Sequence, residues 1–143
     1  MDDITPTDLE LAYAAGLFDG EGCIYVHPRK CYPYLHVQMA DREPLDFLQR
    51  IFGGKIYPKK AQRSHHRPTF QWQLCGDAAR KAASLMYPFF QLERKKLNAA
   101  AINWCSRREA QRICAANNSS SPKRRRLPKS QLSLFKDEGR MAG

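Results

Sequence analysis

Residues 5–22 restrict what this chain can be more than any other stretch. Thr5-Pro6-Thr7-Asp8 reads as a helix start, with Thr5 as N-cap, Pro6 at the first helical position and Asp8 completing a T-x-x-D capping box. The helix is expected to continue through Leu9–Phe18 and to stop at Gly20 and Gly22. Ala12, Ala15, Gly16 and Asp19 recur at spacings of three and four, so one stripe of it is almost smooth. A smooth stripe lets a second backbone approach, either from the same domain or from another copy of the chain. Asp19 and Glu21 stand at the negative end of the helix dipole, where carboxylates are locally unfavourable. A cation offsets that repulsion, and Gly20 leaves the backbone free to offer a carbonyl beside Glu21. Mg2+ takes about six oxygens and shares them readily with phosphate and water. One carboxylate and one carbonyl are too few, and a second copy of the helix supplies the missing carboxylate. A plain solvated acidic turn is the alternative.

Charge along the chain is uneven. Residues 1–22 hold six acids and no Lys or Arg, whereas residues 23–116 hold 17 Lys and Arg against six acids. A basic body with an acidic end points to a polyanionic partner, most commonly nucleic acid. A ribosome-associated or merely solvated basic surface is the competing reading, and it leaves the acids at one end unexplained.

Period-two alternation marks four strands. Cys23–His27 puts Ile24 and Val26 on one face and Tyr25, His27 and then Arg29 on the other; Tyr34–Met39 turns Leu35, Val37 and Met39 inward and Tyr34, His36 and Gln38 outward. Lys55–Tyr57 and Pro68–Leu74 form a second pair, with Phe70, Trp72 and Leu74 inward and Gln71 and Gln73 outward. Between them runs a basic loop holding Lys59, Lys60, Arg63 and Arg67. Helices are expected at Glu43–Phe52, Asp77–Tyr87 and Phe89–Ala116, giving an α+β chain in the order α-β-β-α-β-β-α-α without internal repeat. Gln suits adenine, Arg suits guanine, and a β-ribbon fits the major groove of DNA. Tyr25, His27, Arg29, Tyr34, His36, Gln38, Lys55, Tyr57, Gln71 and Gln73 are therefore candidate base contacts, and Lys59, Arg63 and Arg67 candidate phosphate contacts.

The remaining features carry less. The five cysteines include no C-x-x-C pair and read as reduced thiols; zinc on Cys23, His27, Cys31 and His36 would need spacings unlike common zinc modules. His65 and His66 suit phosphate contact or solvent better than metal. No apolar run is long enough for a membrane helix, and the acidic Met1-Asp2-Asp3 start is unlike a secretory signal, so an intracellular, non-secreted protein without membrane contact is expected. Residues 117–143 read as a basic, disordered tail after a domain of residues 1–116; Lys123–Arg126 suits a phosphate-touching arm better than a nuclear import signal.

Ala14-Ala15-Gly16-Leu17-Phe18-Asp19-Gly20-Glu21-Gly22, followed by Cys-Ile-Tyr-Val, resembles the LAGLIDADG motif of the homing endonucleases and its first strand. The element order over roughly residues 7–110 resembles that family's αββαββα core, a saddle-shaped antiparallel sheet with C-terminal helices. The resemblance implies a site-specific double-strand DNA endonuclease using Mg2+ (or Mn2+) and cutting across the minor groove. A single motif copy implies a homodimer on a long pseudo-palindromic site, meeting through Ala12, Ala15, Gly16 and Asp19. It places the metal on Glu21 with the Gly20 carbonyl beside it, Glu standing where Asp is usual, and Asp19 within the same catalytic group. Asp41, followed by Arg42, falls where a polar residue orients water. The family's basic residue falls at about Glu93, so that Arg94 or Lys95 takes the role. A non-cleaving DNA- or RNA-binding protein of the same fold, such as an intron maturase or a regulator, is the alternative.

Overall fold

The computed structural model describes residues 5–61 and 63–118. Its elements are α1 (Asp8–Glu21), β1 (Gly22–Val26), β2 (Pro33–Met39), α2 (Glu43–Phe52), β3 (Lys55–Lys59), β4 (Thr69–Cys75), α3 (Asp77–Met86), a 3₁₀ turn (Tyr87–Phe89), α4 (Glu93–Trp104) and α5 (Arg107–Asn118). The strands form one antiparallel sheet in the order β1-β2-β4-β3. The expected α+β class and element order are present, with differences at helix ends.

Helix α1 starts one step later than its sequence suggests. Thr7, not Thr5, is the N-cap: its hydroxyl accepts the Glu10 N–H, and the Glu10 carboxylate accepts the Thr7 N–H in return. Glu10 offers a longer reach back than Asp8 does, which is why this pair closes the box. At the other end the helix runs through Gly20 to Glu21, and only Gly22 leaves it, its N–H still reaching the Phe18 carbonyl.

The expected long helix after Phe89 is broken in two. Ser106 caps α5, its hydroxyl accepting the Glu109 N–H at 3.3 Å, so Ser106-Arg-Arg-Glu109 is a second start signal inside the apolar periodicity. Helix α5 then extends to Asn118, two residues past the expected end of the domain at Ala116; the rest of that tail, with Lys123–Arg126, lies outside the described residues. Strand β3 also runs further than expected, through Pro58 to Lys59. It is an edge strand, where a proline nitrogen does not interrupt the ladder.

Helices α1, α2 and α3 cover one face of the sheet. The pleat sends Ile24, Leu35, Val37, Trp72 and Leu74 to that face, where they meet Leu11, Ala14, Ala15, Phe18, Leu45, Leu48 and the alanines of α3. Trp72 is fully buried, sits edge-on to Phe18 at 5.8 Å and donates its indole N–H to the Gly53 carbonyl at 2.8 Å. That bond fixes the Gly53-Gly54 turn, where both residues have positive φ and a Cβ on Gly54 would lie 2.6 Å from the Gln73 carbonyl oxygen.

Helices α4 and α5 close the outer edge of β1. An open strand edge invites pairing with other chains. Here its outward carbonyls are occupied: Lys95 donates to Gly22, while Asn98 and Asn118 donate to Ile24 at 3.2 and 3.0 Å. Asn98 in turn accepts from Asn117 at 2.9 Å and donates to Asn118 at 3.0 Å. Asn98 and Asn117 are buried, so this amide cluster is worth having only because it is satisfied. Asn98→Leu strands the buried Asn117 amide and should cost about 1–3 kcal/mol in urea unfolding. A Gly22→Ala chain should also lose about 1–3 kcal/mol, because its Cβ would fall on the Phe18 ring and 2.6 Å from the Phe18 Cα; an unchanged urea midpoint would contradict that packing.

Candidate active site

The end of α1 faces the start of α4. Asp19 accepts the backbone N–H groups of Gln91 at 2.9 Å and Leu92 at 3.4 Å, and Leu92 is the N-cap position of α4. The negative end of one helix dipole therefore meets the positive end of another, with the Asp19 carboxylate between them. This answers the electrostatic problem posed by the sequence for Asp19 without a metal. Asp19, expected on the dimer face and in the catalytic group, has both carboxylate oxygens engaged within the chain.

Glu21 is different. It is exposed, on the last residue of α1, and lines a cavity of about 310 Å³ with Gln38, Met39, Ala40 and Thr69. Gly20 is exposed beside it, and its carbonyl is one of the last four of the helix, which lack helical donors. Lys95 reaches the same corner from α4. Only 5% exposed, it is anchored on α4 with its Nζ donating to the Gly22 carbonyl, one residue beyond Glu21. Burial pulls its ammonium below the usual lysine range; Cys23 and Asp19 oppose the shift and Arg94 adds to it. Of the expected pair, Lys95 is thus part of this corner, while Arg94 is on the exposed side of α4. Asp41 is exposed just past the end of β2, next to Ala40 of the Glu21 cavity, and pairs with Arg67 at 3.8 Å in a solvated contact. The β2 residues that line the Glu21 cavity are Gln38 and Met39.

The outward sheet face carries the expected candidates in cross-strand rows. Gln38–Gln71–Tyr57 is the row beside Glu21, Cys23–His36–Gln73–Lys55 comes next, and Tyr25–Tyr34–Cys75 follows. Tyr34 is an exception to the expected exposure: it is 8% exposed because Tyr25 stacks on it at 5.5 Å and His27 leans on it at 5.5 Å. His27 Nδ1 is used by the hairpin turn, accepting the N–H groups of Arg29 and Lys30 at 3.2 and 3.1 Å, while Arg29 itself is exposed. His36 Nδ1 is buried and has no hydrogen-bond partner among the described residues. Burial, with Lys59 and Lys95 adding to it, lowers the His36 pKa and keeps the ring neutral at neutral pH. Lys55, Tyr57, Lys59, Lys60, Arg63 and Arg67 are exposed on β3 and the loop after it, as expected.

On α1 the exposed stripe is Leu9, Ala12, Tyr13, Gly16 and Gly20. Ala15 does not belong to it: it is fully buried in the chain's own core. A Cβ on Gly16 or Gly20 would meet nothing within 4 Å, so nothing in the described chain requires glycine at either place. The zinc alternative has no support, since no group of three or more His, Cys, Asp or Glu that could hold a metal occurs among the described residues. None of the cysteines forms a disulfide, and burial pushes the Cys114 thiol up to about 12. No helix among the described residues is long and apolar enough to cross a membrane.

Residues 8–73 match the family model described as a LAGLIDADG-like domain. Among solved structures, the chain is similar to the homing endonuclease I-CvuI in complex with its target in the presence of Ca, at 20% identity and a TM-score of 0.56, covering 92% of this chain and 95% of that one. It is also similar to the archaeal intron-encoded homing endonuclease I-Vdi141I complexed with DNA, at 14% identity and a TM-score of 0.55, covering 91% and 96%. The LAGLIDADG meganuclease I-AabMI, bound to uncleaved DNA, matches at 14% identity with a TM-score of 0.54 over 89% of this chain but 49% of its own. No curated protein matches by sequence. Residues 8–73, with the motif at the end of α1, thus match a LAGLIDADG-like domain, and the chain shares the fold of the LAGLIDADG homing endonucleases.

Proposed function

We propose that this chain is a site-specific endonuclease that binds a long pseudo-palindromic DNA duplex as a homodimer and hydrolyses one phosphodiester in each strand. The observation that carries this reading is the position of Glu21. It is an exposed carboxylate where the open stripe of α1 meets the amide-bearing outer face of the sheet, and Lys95 is anchored on the carbonyl of the next residue, Gly22. A second copy packed along Ala12, Gly16 and Gly20 would bring its own Glu21 to the same place. The matches support such a dimer: this chain spans nearly all of I-CvuI but about half of I-AabMI.

The donor set fits a hard divalent ion, Mg2+ or Mn2+, provided two copies and phosphate share it. Each chain gives the Glu21 carboxylate and the Gly20 carbonyl, both oxygen donors. When bound, such an ion lowers the pKa of water and offsets charge on the phosphate. The chain's own contribution is positioning. Asp19 locks the end of α1 to α4, which fixes the direction of Glu21. Lys95 holds the Gly22 carbonyl and retains further N–H donors for a phosphate oxygen. The exposed Lys59, Arg63 and Arg67 supply backbone contacts that give affinity and register, and Lys123–Arg126 adds charge from the tail. A second reading has one observation in its favour. Glu93 stands at the first position of α4, where the resemblance implies a basic residue, which suits a binder that does not cut.

With Mg2+ and duplex DNA carrying its intron-minus insertion site, the wild type should cleave both strands. Glu21→Gln should bind within a few fold yet cleave at least about 100-fold more slowly. Binding by both without cleavage would establish the second reading. In sizing experiments the wild type should run at about twice 16.4 kDa, and Gly16→Leu should run as a monomer; a monomeric wild type would remove the shared metal site.

A further inference from the structure

The geometry points to Gln71, with Gln38 beside it, as an adenine-reading site in the base pairs flanking the cut, a reading that rests on the DNA-binding function proposed above. The row Gln38–Gln71–Tyr57 lies next to Glu21, because Gln38 shares the cavity with that carboxylate and is directly opposite Gln71 on β4. It contains no cation. Its amides are also constrained by their neighbours. Gln38 Nε2 donates to the Thr69 hydroxyl at 2.9 Å, which leaves its Oε1 and a second N–H. Gln71 Nε2 donates to Gln73 Oε1 at 3.3 Å, leaving Gln71 with a free carbonyl oxygen and a second N–H. Each amide of the row therefore presents one acceptor beside one donor, with the Tyr57 hydroxyl at the end of the row.

That set selects among base edges in the major groove. Adenine shows an N6 amino donor beside the N7 acceptor, which one amide satisfies with an acceptor and a donor together. Guanine shows two acceptors, O6 and N7, and an outward carbonyl oxygen opposes them. Thymine offers an acceptor and a methyl group, and cytosine a donor alone, so neither uses both halves of the amide. The next row outward differs because Lys55 stands directly opposite Gln73 and adds a cation, which suits the two acceptors of guanine. The third is closed by the Tyr25–Tyr34 stack. Same-face rows are about 7 Å apart, or about two base steps at 3.4 Å. The adenine preference thus belongs to a narrow zone near Glu21.

The test is selection of bound duplexes from a randomised DNA library by the full chain in EDTA, where binding is read without cleavage. Adenine should be enriched at one position in each half-site, closest to the centre among the selected positions. Gln71→Ala should lose that enrichment, and Gln71→Arg should turn it to guanine. Replacing the selected adenine with 7-deazaadenine should weaken wild-type binding about tenfold and change Gln71→Ala binding by less than about twofold. Guanine or a pyrimidine selected by the wild type at that position, or adenine retained by Gln71→Ala, overturns the assignment while leaving DNA recognition standing. A library from which the wild type selects no common sequence removes both.

Discussion

The outer edge of β1 is the constraint on which the rest of the molecule depends. An antiparallel sheet with one face in the core and the other open to a ligand has edges it must close by other means. One edge, β3, is short and carries Pro58 and lysines. The other is closed by α4 and α5 through Lys95, Asn98 and Asn118. The same closure brings the N-terminus of α4 against the end of α1, so that Asp19 can cap it. Edge protection and the geometry of Glu21 are therefore one arrangement. A helix recruited to satisfy strand carbonyls also delivers a lysine to the corner where the acid stands.

Much of this was legible in the sequence, for physical reasons. Strand alternation is a local property, and Ile24, Leu35, Val37, Trp72 and Leu74 face the core as their spacing implies. Small residues and paired acids at the end of α1 marked the site because few other arrangements tolerate them. What sequence reading missed depends on contacts between distant segments. Asp19 is partnered by residues more than seventy positions away, so no local pattern could separate its capping role from a dimer-face or catalytic one. Ala15 is small enough to suit either side of a helix; only the packing of Leu11, Ala14 and Phe18 beside it shows that it faces inward. Tyr34 alternates correctly but is covered by its own neighbours. The break before α5, by contrast, was readable: Ser106 and Glu109 are a start signal at the proper spacing.

The two acids at the end of α1 show how one motif divides labour. Asp19 and Glu21 are separated by one glycine, yet one is engaged by backbone donors and the other is open. The difference is set by rotation: positions two apart on a helix point about 200° away from each other. Gly22 then lets the chain leave α1 directly into β1, because a side chain there would occupy the space of the Phe18 ring. Each glycine of the motif thus has its own reason. Gly22 is required by packing within the chain, while Gly16 and Gly20 face open space.

The pleat that separates Trp72 from Gln71 and Gln73 has a consequence for how such a chain can change over time. Neighbouring residues on β4 answer to different demands, one to the core and the next to whatever lies on the outer face. At the amide end of the sheet, outward positions are joined by a few polar contacts and can drift independently of the hydrophobic interior. At the other end Tyr25, Tyr34, His27 and His36 lean on one another, so replacing one disturbs the rest and its effects will not add. Substitutions that change what the outer face presents are therefore most accessible among the glutamines, with the aromatic end carried along as inheritance.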